Sequence, residues 1–252
     1  MEITEVSMKY LRIIIGMLLM VLSQAVGAQT AERLQQQLEA LRTWKAGTVV
    51  SAAAIERFGA DRCFAADTID DATFERMKGR SFKPNPHIHR SDLRYLRTLH
   101  VNHEGDIVVG EMVCNKAIAN DLTDIFRQLY EARYPIERMV LIDNYDADDE
   151  RSMRDNNSSC FCYRVVSGSK VLSAHARGMA VDINPLYNPY VKVRKDGSRY
   201  VQPATGEPYT HRTRSFIYKM TASDLCVRLF LAHGFTWGGS WGNPKDFQHF
   251  EK

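Results

Sequence analysis

The sequence predicts a fold of mixed α and β class, and three stretches carry the prediction. Leu93 to Val101 and Asp106 to Cys114 flank the turn Asn102-His-Glu-Gly105, which is the form of a β-hairpin. Ala117 to Tyr134 sets Ile118, Leu122, Ile125, Phe126 and Leu129 on one helical face, with Pro135 as a stop. Ser173 to Pro185 is a small, apolar run punctuated by His175, Gly178 and Asp182.

The bulk composition narrows the class. With 252 residues, 44% hydrophobic and 25% charged, the chain has the make-up of a soluble globular protein rather than a disordered one. Its 33 basic and 30 acidic residues give a net charge of +3 and are well mixed, so neither a nucleic-acid stripe nor an acidic tail stands out. Nothing points to a nucleic-acid partner, and the sequence does not define an oligomer.

In chain order, the N-terminus comes first. Lys9 and Arg12 precede the apolar run Ile13 to Leu22, and Val26-Gly-Ala28 supplies small residues at a cleavage point. This is a signal-peptide pattern, with a start at Met8 as a variant of it. The apolar run is short against the roughly 20 residues of a membrane span, so an uncleaved anchor is the second reading. The expectation is an exported protein, periplasmic or extracellular, with no stable membrane span after cleavage. Five cysteines (Cys63, Cys114, Cys160, Cys162, Cys226) leave at least one thiol free, buried or paired to another chain, and sequence does not give the connectivity. Cys160-Phe-Cys162 lacks zinc-knuckle spacing, and no cysteine sits in an activating context.

Thr30 to Lys45 carries Leu34, Leu38 and Leu41 at helical spacing, and Ala52 to Phe58 and Asp70 to Met77 read as short helices. Lys83-Pro-Asn-Pro86 marks an extended or turn segment. Among the eight histidines, His87, His89, His100 and His103 read as solvated or hydrogen-bonded. Val140 to Asp143 reads as a short strand ending in the acidic loop Asp143 to Asp149, whose spacing lacks the glycine and glutamate of an EF-hand. Asn156 to Val166 reads as a turn entering a strand. Tyr187 to Tyr209 reads as a long surface loop broken by Asp196-Gly197, of the kind that lines a cleft. Ser223 to His233 reads as a helix with Ser223 as N-cap and Gly234 as its end.

The chemistry gathers at two places. Imidazole and carboxylate are both zinc ligands, and Asp182 follows His175 by seven positions. A buried strand from Met179 to Ile183 would leave Asp182 as a charge in apolar surroundings, which demands a partner or a metal. The tail Phe235 to Lys252 then offers His249 as a third ligand, and Asp246 three residues earlier as a carboxylate beside the metal. Three protein ligands and an open position are the pattern of a catalytic zinc site, where a coordinated water has its pKa lowered to about 7. A nearby carboxylate can take that water's proton as it attacks a carbonyl.

Ser173-x-His175, Gly178, Asp182 and Asp246-x-x-His249-Phe, in that order, resemble the motif set of the zinc D-alanyl-D-alanine carboxypeptidases and L-alanyl-D-glutamate endopeptidases. That family shares its fold with the hedgehog signalling domain. The resemblance covers roughly Tyr134 to Lys252. It implies an α+β domain with an antiparallel sheet and flanking helices, and zinc (Zn2+) held by His175, Asp182 and His249. It also implies Asp246 as general base and cleavage of peptide bonds in peptidoglycan stem peptides. Ser173 and Tyr145 would contact substrate. Trp237 and Trp241 would wall the cleft, or equally pack the core. The family's Gly-Tyr-Arg segment is matched by Asp143-Asn-Tyr145-Asp146, without the arginine. Arg164 is the first candidate to replace it and Arg151 the second, since a guanidinium suits both a carboxylate and a developing oxyanion. The expected organisation is a leader over 1–28, an N-terminal extension of helix and hairpin over 29–115, and the zinc peptidase domain over 116–252. A non-catalytic zinc-bearing binding module is the alternative function.

Overall fold

The structure, a computed structural model, describes residues 17, 27–166 and 170–252. Nearly all of the leader read from the sequence lies outside the described residues. No helix among the described residues is long and apolar enough to cross a membrane.

The protein is built on the expected hairpin. Strands β3 (Leu93–Val101) and β4 (Ile107–Asn115) pair antiparallel over their full length, from Leu93 opposite Asn115 to Val101 opposite Ile107. Edge strands β1 (Val49–Val50) and β2 (Ala65–Thr68) complete a four-stranded sheet in the order β1-β4-β3-β2. Side chains alternate across a strand, and here both faces are buried. On one face, Leu99 and Val109 meet Leu38 and Leu41 of helix α1 (27–42), Trp44, and Ile55 and Phe58 of α2 (Ala52–Phe58). The Trp44 Nε1 donates to the Gly110 carbonyl at 2.9 Å, so the indole is satisfied as it is buried. Beyond β2, helix α3 (Asp71–Met77) is capped by Asp70, whose carboxylate accepts from Thr73 N at 2.7 Å.

On the other face, Leu96, Met112 and Cys114 pack against α4 (Ala119–Glu131), which buries the expected Leu122, Ile125, Phe126 and Leu129. The same core takes Val181 of β5 (Ala180–Asp182), Phe230 of α6 (Leu225–Ala232) and Phe250 of β10 (His249–Glu251). The Phe230 ring stacks on Phe250 at 4.1 Å between centroids and meets Phe126 edge-on at 6.4 Å. Each such ring contributes about 1.5–3 kcal/mol by burial. The three pin α6, α4 and the C-terminal strand to one point.

Two small antiparallel sheets complete the fold, in the orders β5-β10-β8 and β7-β6-β9. Here β8 is Thr236–Trp237, β6 is Tyr190–Val193, β7 is Arg199–Gln202 and β9 is Lys245–Asp246. Only Phe247 and Gln248 separate β9 from β10. The chain therefore leaves one sheet and enters the other within two residues, which sets Asp246 and His249 on different sheets bordering the same space.

Several local readings are corrected. Val140 to Asp143 is not a strand; residues Ile142–Tyr145 form a 3-10 turn. The backbone of Val140 is satisfied by the side chain of Asn157, which accepts from Val140 N at 2.9 Å and donates to its carbonyl at 3.0 Å. One amide side chain thus stands in for a neighbouring strand. Asn156 to Val166 makes isolated bridges at Asn157, Ser159 and Val165 rather than a strand. The long surface loop holds the β6–β7 hairpin, turning at Asp196-Gly197, and a 3-10 helix over Ala204–Thr210. The cap of α6 is Asp224, whose carboxylate accepts from Cys226 N at 2.9 Å, and not Ser223. The tail is broken into β8, a 3-10 turn at Gly238–Ser240, β9 and β10. All five cysteines are unpaired and buried.

Candidate metal and catalytic site

His175 sits in the short 3-10 turn Ala174–Arg177, capped by Ser173, whose Oγ accepts from His175 N at 3.2 Å. Gly178 ends the turn with φ of 65°, in the left-handed region that favours glycine. Its surroundings also require glycine, since a Cβ there would lie 2.7 Å from Asn115 N. Asn115 N donates to the Gly178 carbonyl at 2.9 Å, and Asn115 Nδ2 to the Arg177 carbonyl at 2.9 Å. The end of β4 thereby holds the loop that carries His175, and the chain turns at Gly178 into β5.

Asp182 ends β5 directly opposite His249 of β10. Paired residues in adjacent antiparallel strands share a face, so both side chains meet His175. The contacts are His249 Nδ1 to Asp182 Oδ1 at 3.1 Å, His175 Nε2 to Asp182 Oδ2 at 3.3 Å, and His175 Nε2 to His249 Nδ1 at 3.2 Å. All three residues are buried. Burial would raise the Asp182 carboxyl, but His175 and His249 outweigh it and hold the group well below the usual carboxylate range. Burial likewise disfavours a charged His249, yet the Asp182 and Glu251 carboxylates overcome it and push the ring up to about 10.

The donor set fits a divalent metal. His175 Nδ1 lies 2.7 Å from the Cys160 carbonyl, which can only accept, so the hydrogen of the neutral ring is on Nδ1 and Nε2 presents a lone pair. That lone pair faces the second imidazole and a carboxylate, and one ligand atom from each of the three residues lies within 4.8 Å of the others. Such a cluster of acceptors is stable around a cation, and two nitrogens with one oxygen suit zinc.

Asp246 borders the same space from β9, opposite Tyr190 of β6. A Cβ on Gly238 would lie 2.6 Å from the Asp246 carbonyl oxygen, so glycine is what lets the 238–240 turn approach. Burial pushes the Asp246 carboxyl up to about 6, offset in part by His249, and its Oδ1 is buried without a hydrogen-bond partner among the described residues. A carboxylate of raised basicity with an unused oxygen is the form of a general base.

The open cleft has a volume of about 330 Å³ and is lined by His175, Asp182, His249, Asp246, Ser173, Arg164 and Trp241. Arg164 reaches it while its Nε pairs with Asp149, at the start of helix α5 (Asp149–Arg154). Burial raises the Asp149 carboxyl and Arg164 counters it. Trp241 lies 5.5 Å from the His249 ring between centroids. Trp237 takes the core reading: it is buried, its Nε1 donates to the Phe247 carbonyl at 3.0 Å, and Gly239 packs against its ring. Tyr145 is not among the cleft-lining residues and donates to Asp155. Arg151 pairs with Asp146 at 3.2 Å, on the surface.

Sequence reasoning missed three features. Asp149 gave no sign of partnering Arg164, fifteen positions away. Glu251, whose Oε2 lies 3.3 Å from His249 Nε2, was legible as the i+2 residue on the same strand face. The β6–β7 hairpin turns Tyr190, Lys192, Tyr200 and Gln202 to the cleft, as the period-two pattern of two short strands could have indicated.

Fold and site together define an α+β protein with a buried His-Asp-His constellation suited to one divalent metal. Residues 167–252 match the family model of D-alanyl-D-alanine carboxypeptidase, a zinc-dependent peptidase family, which bears out the resemblance read from the motifs. The match takes in Ser173, His175, Asp182, Asp246 and His249 and leaves the first 166 residues outside it. No significant match was found among curated proteins or among solved structures.

Proposed function

We propose that the protein is an exported zinc metallopeptidase that hydrolyses peptide bonds in peptidoglycan stem peptides, of the D-alanyl-D-alanine carboxypeptidase type, with the hedgehog/DD-peptidase fold. The observation that carries this reading is that Asp246 lines the same open cleft as the His175, Asp182 and His249 trio, all within the family-matched segment. Bound zinc would supply Lewis acidity, activating water and polarising the scissile carbonyl. Asp246 accepts the proton of the attacking water and returns it to the leaving amine. Arg164, with its Nε engaged by Asp149, directs its remaining guanidinium N–H groups to the carbonyl oxygen as charge develops there. Ser173 fixes the His175 turn, while Trp241 and the β6–β7 face flank the bound peptide.

Hydrolysis of defined muropeptides by the purified protein tests the reading. Wild type should release a terminal D-alanine or cut within the stem peptide, and Asp246→Ala and His175→Ala should not. Zinc at one per chain with no cleavage by wild type would favour a non-catalytic zinc-bearing module instead.

A further inference from the structure

The two histidines of the trio use different ring nitrogens. His175 faces its neighbours with Nε2, because its Nδ1–H is taken by the Cys160 carbonyl at 2.7 Å. His249 faces them with Nδ1, at 3.1 Å from Asp182 Oδ1 and 3.2 Å from His175 Nε2. Its Nε2 points the other way, to Glu251 Oε2 at 3.3 Å. A bare Nε2 against a carboxylate would oppose two acceptors. When a metal ion takes the place of a proton at Nδ1, the hydrogen that remains on the ring is the one held at Nε2 by Glu251, and the Nδ1 lone pair is the metal's.

We propose that Glu251 is a positioning residue that fixes the tautomer and orientation of His249, so that this ring offers Nδ1 to the metal. The inference rests on the metal-site reading above. Register makes the contact: residues 249 and 251 lie on the same face of β10, and Phe250 between them is fully buried and stacked on Phe230. The strand cannot turn without losing that ring from the core. Glu251 forms no salt bridge with a lysine or arginine among the described residues, His249 being its ionic partner. The pair also differs from the one at His175 in charge. A carboxylate draws on the imidazole N–H more strongly than a neutral carbonyl does, which makes His249 the stronger donor of the two.

The test compares the full chain as wild type, Glu251→Gln and Glu251→Ala. Zinc affinity is measured by chelator competition, and the ligand field by the absorption spectrum of the cobalt(II)-loaded protein. Glu251→Ala should weaken zinc binding about 10–100-fold and alter the cobalt spectrum. Glu251→Gln, which can still accept through Oε1, should fall between the two. Thermal unfolding of the metal-free proteins should stay alike, because Glu251 is part-exposed and packs no core. Glu251→Ala with wild-type zinc affinity and an unchanged cobalt spectrum would overturn the inference alone. A wild type that binds no zinc would overturn the metal site and this inference with it.

Discussion

Asp182 and His249 are direct partners across β5 and β10, with Oδ1 and Nδ1 3.1 Å apart, although 67 positions separate them in the chain. Both strands are anchored from behind by core residues, Val181 next to Asp182 and Phe250 next to His249. The alternation of a β-strand thus converts burial on one face into ligand alignment on the other.

That alignment depends on the turn before it. Gly178→Ala introduces a side chain at φ of 65° and a Cβ 2.7 Å from Asn115 N. The αL penalty alone is about 1–2 kcal/mol, and displacement of the His175 loop adds to it. The variant should unfold at lower temperature and bind zinc more weakly than wild type; equal values for both would refute the role given to Gly178.

The proposed role of Asp246 is to move a proton rather than to hold the metal. Asp246→Asn should retain zinc and lose about 10²–10⁴-fold in peptide hydrolysis, the usual contribution of a general base. Metal content and turnover measured on the same preparation separate the two roles. Loss of zinc together with activity would make Asp246 a ligand.

A pH dependence of stability follows from His100. The ring is fully buried with Nδ1 at 2.7 Å from the Ile136 carbonyl, and burial lowers its pKa to about 4, with Arg138 adding to the effect. An unfolded histidine titrates near 6.5, so below that pH the unfolded chain binds a proton that the folded chain refuses. Stability is complete above about pH 6.5 and declines as pH falls toward 4. Between pH 7 and 5 this group should account for a loss of about 2 kcal/mol. Urea midpoints of wild type and His100→Gln at both pH values check it; the variant should lose less, and an identical slope would contradict the assignment.

The hairpin and the C-terminal region share one core, in which Leu96, Met112 and Cys114 meet Phe126, Val181 and Phe250. A fragment of residues 116–252 would expose the inner faces of α4 and β5. It should show poor solubility and no cooperative unfolding transition, whereas the chain from residue 29 should unfold cooperatively. A sharply unfolding 116–252 fragment would place the folding boundary after the hairpin.

The site was more legible in the sequence than parts of the fold. His175, Gly178 and Asp182 lie close together, and Asp246 and His249 are three apart, so local spacing carried the chemistry. The hairpin and α4 were legible because their apolar periods are long and regular. Val140 to Asp143 was not, because an apolar run predicts burial but does not reveal that the Asn157 side chain, rather than another strand, satisfies Val140. Trp237 and Trp241 look alike in sequence, and it is tertiary packing, with Trp237 buried, its Nε1 on the Phe247 carbonyl and Gly239 against its ring, that assigns that tryptophan to the core. The Arg164–Asp149 pair is formed by tertiary packing, which no local pattern encodes.

Zinc content of the purified chain tests the central claim most directly. Wild type should carry one zinc per chain by elemental analysis, and Asp182→Ala and His249→Ala, each lacking one of three ligands, should carry essentially none after the same dialysis. Absence of zinc from wild type, or equal zinc in wild type and both variants, would contradict the account.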